Sequence, residues 1–380
     1  MNDNMLQADR STYLSRIPQS LTFDINAIDR KFGDEAPIVR DIIVFAARTK
    51  LRDLWGEVIF TMDEFCSEFG HNRTTMQRTL KKFENVTEAQ LPIIEGDFHL
   101  WDSLFEYSLY RALNENIVIN RKRDGKDVVD SYQIIEKLVV SYKDKGKSSK
   151  REKRTYLLKL SDKLLDNLLN EYYLIDYEDY KRLSSTQLSS VGAYRNFYMY
   201  MARMIANIRY KNKKQEEEKT EHNYITSIDD LCKILNSNYS ESYDRKKYVR
   251  KTLNHVQESL KNTPFQWNFT KNGTRYYYFV SFTFPPETLS FFDERLKAVF
   301  INKLIDQLKF FYIKKENAEM GDYDIVRMQK HVDKEEFLKW LFEPDSKEIK
   351  EKAFRSVYLQ VYYSEYEHSE IDMSLLKLEK

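Results

Sequence analysis

Two cysteines in 380 residues, Cys66 and Cys232, lie far apart and each inside an apolar helical stripe. That reads as buried, reduced thiols of a cytosolic protein and not as a disulfide framework. Histidine is as thin: His71, His99, His222, His255, His331 and His368 stand isolated from one another. No His-apolar-His cluster is present to hold a metal beside a nucleophilic tyrosine, and no Cys/His spacing suggests zinc. A Gly-x-x-x-x-Gly-Lys-Ser/Thr loop for nucleotide phosphates is missing too, which disfavours an ATP-driven motor. The expectation is a chain with no metal, no cofactor and no enzymatic activity. No apolar run approaches the length of a membrane span, and the first twenty or so residues hold no apolar stretch of signal-peptide type. The expected location is the cytoplasm.

Glycine (9) and proline (7) are scarce while tyrosine (27) and phenylalanine (23) are abundant, which argues for helices and short strands over loops. Lys plus Arg (61) and Asp plus Glu (60) cancel to a net charge of +1, so any affinity for a polyanion has to come from local patches. The length suggests about two or three domains.

The richest stretch is Tyr243 to Phe284. In YDRKKYVRKTLNHVQESLKNT, residues Val249, Leu253, Val256 and Leu260 make a buried helical stripe. The opposite face carries Lys247, Arg250, Lys251, Asn254, Glu258 and Lys261. Two aromatic strands follow, PFQWNFT and RYYYFVSFTF, joined by Lys271-Asn272-Gly273-Thr274-Arg275, and Asn-Gly is a strong hairpin signal. Upstream, ITSIDDLCKIL predicts a short helix capped by Thr226 or Ser227. Helix, turn, basic helix and basic hairpin is the order of a winged helix. The alternative is a structural helix-hairpin unit whose charged face is merely solvated.

A related unit lies earlier. Ile38 to Leu51 predicts an amphipathic helix, EVIFT a brief strand, and TMDEFCSEFGHNRTTMQRTLKKFE a helix-turn-helix. In the last, Thr61 and Glu64 form a capping box, Gly70 breaks the first helix and Asn72 caps a second. Met76, Leu80 and Phe83 are expected to point inward from that second helix and Thr74, Gln77, Arg78, Lys81 and Lys82 outward, with Arg73, Thr74, Gln77, Arg78 and Lys81 the candidates for DNA contact. This unit is as readily a dimerisation or scaffold element as a DNA-contacting one. Strand-like segments NIVINR, SYQIIEKLVVSY and RTYLLKLS, with two basic loops between them, then lead to a long aromatic helix, GAYRNFYMYMARMIANIRYKNK.

The expected class is α+β, mainly helical, with tandem winged-helix domains and a C-terminal helical extension. The boundaries read as an arm over 1–36, a first winged-helix domain over 37–210, a charged linker over 211–223, a second winged-helix domain over 224–286 and helices over 287–380.

From roughly Ile38 to Phe284 the chain resembles plasmid replication initiator proteins of the iteron-binding Rep type. The resemblance is carried by YYLIDYEDYKRLSSTQLSSVGAYRNFYMYMARM and by YVRKTLNHVQESLKNTPFQWNFTKNGTRYYYFVSFTF. It implies that the second domain binds one direct repeat of double-stranded DNA at a replication origin, and that the first self-associates or contacts the adjoining groove. It also implies opening of an AT-rich duplex, recruitment of host helicase or initiator components, and repression of the protein's own promoter. Two other readings stay open: a phage or mobile-element transcription regulator built from the same modules, and a DNA-nicking replication protein. On the DNA-binding reading, Arg250, Lys251 and Asn254 face the major groove, while Lys247 and the wing residues Lys271, Asn272 and Arg275 meet the backbone.

Overall fold

The computed structural model describes residues 14–50, 57–93, 101–123, 126–141, 154–184, 188–214, 221–271, 278–317, 319, 329, 332–342 and 347–362. Two compact units divide the chain, one over Ser11–Leu289 and one containing Ser290–Lys380.

The first unit opens with β1 (Leu14–Pro18), α1 (Gln19–Phe23) and α2 (Ala27–Phe32). The sequence suggested an arm up to residue 36; instead Ile17, Leu21, Ile25, Ile28 and Phe32 are buried. They come from a strand, two short helices and the turn between them, so no single period marks them as core in the sequence. β1 pairs antiparallel with a strand at Tyr172–Asp176, matching Leu14 to Asp176 and Pro18 to Tyr172.

There follow α3 (Ala36–Lys50), β2 (Glu57–Thr61), α4 (Met62–Phe69), α5 (Arg73–Gln77), α6 (Leu104–Asn114), β3 (Asn116–Arg123), β4 (Lys126–Gln133), β5 (Ile135–Ser141) and β6 (Thr155–Leu160). The capping box forms: Thr61 Oγ1 accepts the Glu64 N–H and the Glu64 carboxylate accepts the Thr61 N–H at 2.7 Å. Gly70, at φ +68°, ends α4 in the left-handed conformation. The sheet runs β2-β6-β5, all antiparallel, so the first strand pairs with the last. Helix, strand, helices and a terminal hairpin in that order make a winged helix. Into it are inserted α5 and the separate hairpin β3-β4. Phe60, Phe65, Phe69, Phe105 and Tyr156 fill its centre.

Next come α7 (Asp162–Asn170), β7 (Tyr172–Asp176), α8 (Tyr177–Arg182) and α9 (Leu188–Lys214). The second winged helix is β8 (Asn223–Ser227), α10 (Ile228–Ile234), α11 (Ser242–Ser259), β9 (Gln266–Lys271) and β10 (Tyr278–Thr283). Its strand order, β8-β10-β9, repeats that of the first sheet. Ser227 is the cap of α10, accepting the Asp230 N–H at 3.0 Å.

Helix α9 stands as the opening helix of this second winged helix while also packing on α1, α3 and β7. Arg195, Phe197, Tyr198, Met199, Met201, Met204 and Ile205 are all buried along it. Phe197 stacks obliquely on Phe265 and Phe282 of the second winged helix, with centroids 5.6 and 5.4 Å away. Toward the first winged helix, Arg195 pairs with Asp41 of α3, which also accepts from Tyr180 at 2.8 Å and meets His71 Nε2 at 2.7 Å. A buried carboxylate with three partners is tolerated where a lone one is not.

The second compact unit contains most of α12 (Pro286–Glu316) and helices at Lys334–Phe342 and Lys347–Tyr362. Phe300, Leu304, Leu308, Phe337, Trp340 and Phe354 form its core. Among the described residues no helix is long and apolar enough to cross a membrane.

Candidate nucleic-acid interface

Helix α11 is built by its apolar spacing. Val249, Leu253 and Val256 have no measurable exposure, and Thr252 and Leu260 are buried beside them. This face rests on α9 and α10. The chain leaves α11 at Leu260 and is caught at once: the fully buried Asp179 carboxylate accepts the backbone N–H groups of Lys261, Asn262 and Thr263 at 2.7–3.2 Å. Asn262 Nδ2 donates to Asp176 at 2.9 Å. The carboxylates of α8 and its cap thereby anchor the C-terminal end of α11 to the preceding half of the chain.

The opposite face is exposed. Lys247, Arg250, Lys251 and Asn254 all lie on it, and none of them forms an ion pair or hydrogen bond with a described residue. Arg245 differs: it is half-buried, paired with Asp229 at 2.7 Å and bonded to the Tyr239 carbonyl at 2.7 Å. Arg245 thus uses its donors within the fold, and Arg250 uses none on a described residue. Glu258 is exposed farther along the same face, whereas Lys261, expected on it, is exposed but lies beyond the end of the helix at Ser259. Sequence reasoning passed over Tyr243, which is 76% exposed and precedes Lys247, Arg250 and Asn254 at the four-, seven- and eleven-residue spacing of one stripe.

Lys271, at the end of β9, is exposed, while Asn272 and Arg275 fall outside the described residues. Phe269, two residues before Lys271, was also passed over: Lys246 Nζ and Arg250 Cζ stand 5.0 and 5.7 Å from its ring centroid.

The first winged helix is different. The expected second helix from Asn72 to Phe83 stops at Gln77, although Asn72 caps it as anticipated, accepting the Thr75 N–H at 3.1 Å. Arg78 and Leu80 are extended because this stretch pairs with the segment before α6: Thr79 bridges Ser103, Leu80 N donates to the Asp102 carbonyl at 2.9 Å and Leu104 N to the Arg78 carbonyl at 3.2 Å. Arg73 and Thr74 are exposed on α5, Gln77 is half-buried, and Arg78 and Lys81 are exposed beyond it, so the five do not share one helical face. Arg73 is paired with Asp63 at 2.6 Å and Arg78 with Glu84 at 3.5 Å. By strand order the counterpart of α11 is α6, and its Arg111 is held by Glu115 at 2.7 Å and Glu35 at 2.8 Å.

Histidines and tyrosines with defined partners serve the fold. His255 stacks on Tyr194 at 4.2 Å, and Tyr180 and Tyr198 are fully buried hydrogen-bonding groups. Burial above all, then the nearby carboxylates, raises both phenols well above the ordinary range.

No family model matches the sequence, and no curated protein matches it. Among solved structures, the chain is similar to a Pi initiator protein in complex with iteron DNA, at 14% identity over 72% of this chain and 98% of that one, TM-score 0.41. It is also similar to domains 2 and 3 of RctB, at 11% identity over 65% of this chain and 82% of that one, TM-score 0.32. At these scores neither likeness establishes a shared fold; the winged-helix assignment rests on the repeated strand order described above.

Proposed function

We propose that the second winged helix binds duplex DNA with α11 in the major groove and Lys271 against the backbone, and that the chain is a non-enzymatic replication initiator acting at repeated origin sites. The single observation that supports the DNA-binding reading most is the uncompensated stripe Lys247, Arg250, Lys251 and Asn254 on the exposed face of α11. None of the four spends its donors on an ion pair or hydrogen bond with a described residue, so these donors are available to base edges and phosphates. Arginine or lysine matches guanine O6 and N7, asparagine matches adenine N6 and N7, and each good bidentate contact discriminates by about 1 to 3 kcal/mol.

The first winged helix takes a different part in this reading. Its topological recognition helix, α6, has its arginine paired within the fold. That favours self-association or scaffolding over base contact, the first of the two roles that the resemblance to iteron-binding initiators implies for this domain. Opening of an AT-rich duplex, recruitment of host components and repression of the protein's own promoter belong to the same reading.

The test is a selection from duplexes carrying a randomised twenty-base-pair core, followed by salt-controlled titration of the enriched site. Arg250→Ala and Lys251→Ala should each weaken specific binding by about 1 to 3 kcal/mol. If both leave specific affinity unchanged, the groove assignment is wrong. Tandem copies of the selected site beside an AT-rich tract in DNA flanking the coding region support initiation; a lone inverted copy over a promoter supports a transcription regulator.

A further inference from the structure

Resting on the reading of α11 as the DNA-facing helix, we infer that Phe269 is a positioning residue that sets the approach of Arg250 to a base edge. Phe269 lies on β9 opposite Val280, whose side chain is fully buried, so its ring belongs to the side of the sheet that meets the core. There it is half-buried, with Trp267 packed edge-on at 5.2 Å and 88°. Lys246 and Arg250, one helical turn apart on α11, both place their cationic ends within 6 Å of its centroid, at 5.0 and 5.7 Å. The ring thus closes the crease between the recognition helix and the strand that leads into the wing.

What this does for Arg250 follows from the chemistry of the guanidinium. A carboxylate partner would orient the side chain but consume the N–H donors that a base needs. An aromatic face holds the cation by its quadrupole and leaves all five donors at the rim. A long, rotamer-rich side chain is restrained before binding and stays chemically available, so less entropy is lost when a bidentate contact forms. Arg250 has this arrangement: exposed, without an ion pair or hydrogen bond to a described residue, and set against a ring.

The experiment uses the full chain and the duplex pool with a randomised core. Phe269→Leu should reduce discrimination at the base pair read by Arg250 by about three- to ten-fold, with Phe269→Tyr close to the native protein. Both should keep the salt dependence of binding, since no phosphate contact is lost. A series of fluorinated phenylalanines at position 269 keeps the shape and folding of the site while weakening the ring quadrupole, and discrimination should fall as fluorine number rises. Discrimination independent of fluorination, or a loss from Phe269→Leu that is equal on all sequences, would overturn the inference. If Arg250→Ala itself leaves specific affinity unchanged, the DNA-facing reading of α11 falls and this inference with it. If Arg250→Ala matters and ring chemistry does not, only the role of Phe269 falls.

Discussion

Asp179 accepts both the backbone N–H of Thr263, at 2.7 Å, and its hydroxyl, at 2.8 Å, across 84 residues of sequence. The same carboxylate bonds Lys261 and Asn262 and is paired with Arg182 at 2.6 Å. Removing it leaves several buried donors unsatisfied at once. Asp179→Ala is expected to lower stability by about 3 to 5 kcal/mol, read as a shift in the urea midpoint. Asp179→Asn, which keeps one acceptor, should fall between the two.

Lys247 and Lys271 are exposed and reach no described acidic group. Each is expected to contribute a phosphate contact. Alanine at either position should weaken binding to specific and random duplex alike and lower the slope of log K against log salt by roughly one unit. A change confined to the specific site would mean that the residue reads bases.

Arg73 and Arg78 already have counter-ions, Asp63 and Glu84. Their replacement by alanine should leave DNA affinity within about 0.5 kcal/mol of the native value, and stability within about 1 kcal/mol, as expected of exposed pairs. A loss of specific affinity comparable to that of Arg250→Ala would instead make α5 a reading element.

Burial by itself would raise the Asp41 carboxyl, but the Arg195 charge and the His71 and Tyr180 hydrogen bonds outweigh it and hold the group below its ordinary value of 3.8. The folded state therefore binds this proton less readily than the unfolded chain. The stability it contributes is present above the unfolded value and is lost as pH falls through the lower, folded one. Thermal melts between about pH 6 and pH 2 should show this acid loss. In Asp41→Asn the melting temperature should be lower at neutral pH and that part of the acid dependence should vanish.

Burial pushes the Cys66 thiol up to about 11, and Cys232 is raised by the same cause. Near pH 8 both should react with iodoacetamide far more slowly in the native protein than after denaturation, because the thiolate is the nucleophile. Mass spectrometry of the labelled chain reads this directly.

Local signals carried much of the architecture. The stripe Val249, Leu253, Val256 and Leu260 and the charged face opposite it could be read from spacing, as could the two strands after α11, the Thr61–Glu64 box and the run of α9. What escaped depends on partners remote in the chain. Pairing of Leu14–Pro18 with Tyr172–Asp176 has no local cue, so a core strand looked like an arm. The early end of α5 is dictated by Ser103 and Asp102, some two dozen residues on, which offer Thr79 and Leu80 extended pairing in place of helical bonds. Asp179 reads as a helix-start acid, and nothing near it in sequence announces the N–H groups it holds. Phe269 looked like one more strand aromatic until two cations were found over its ring.

One consequence of α9 concerns how such a molecule could be re-engineered. A graft that exchanged the second winged helix at the charged stretch before Asn223 would leave Phe197, on the retained side, facing foreign residues in place of Phe265 and Phe282. A cut upstream, before Leu188, keeps that packing, but the incoming part then has to bring an arginine for Asp41 and backbone N–H groups for Asp179. Side chains on the exposed face of α11, by contrast, can be altered without disturbing either set of contacts.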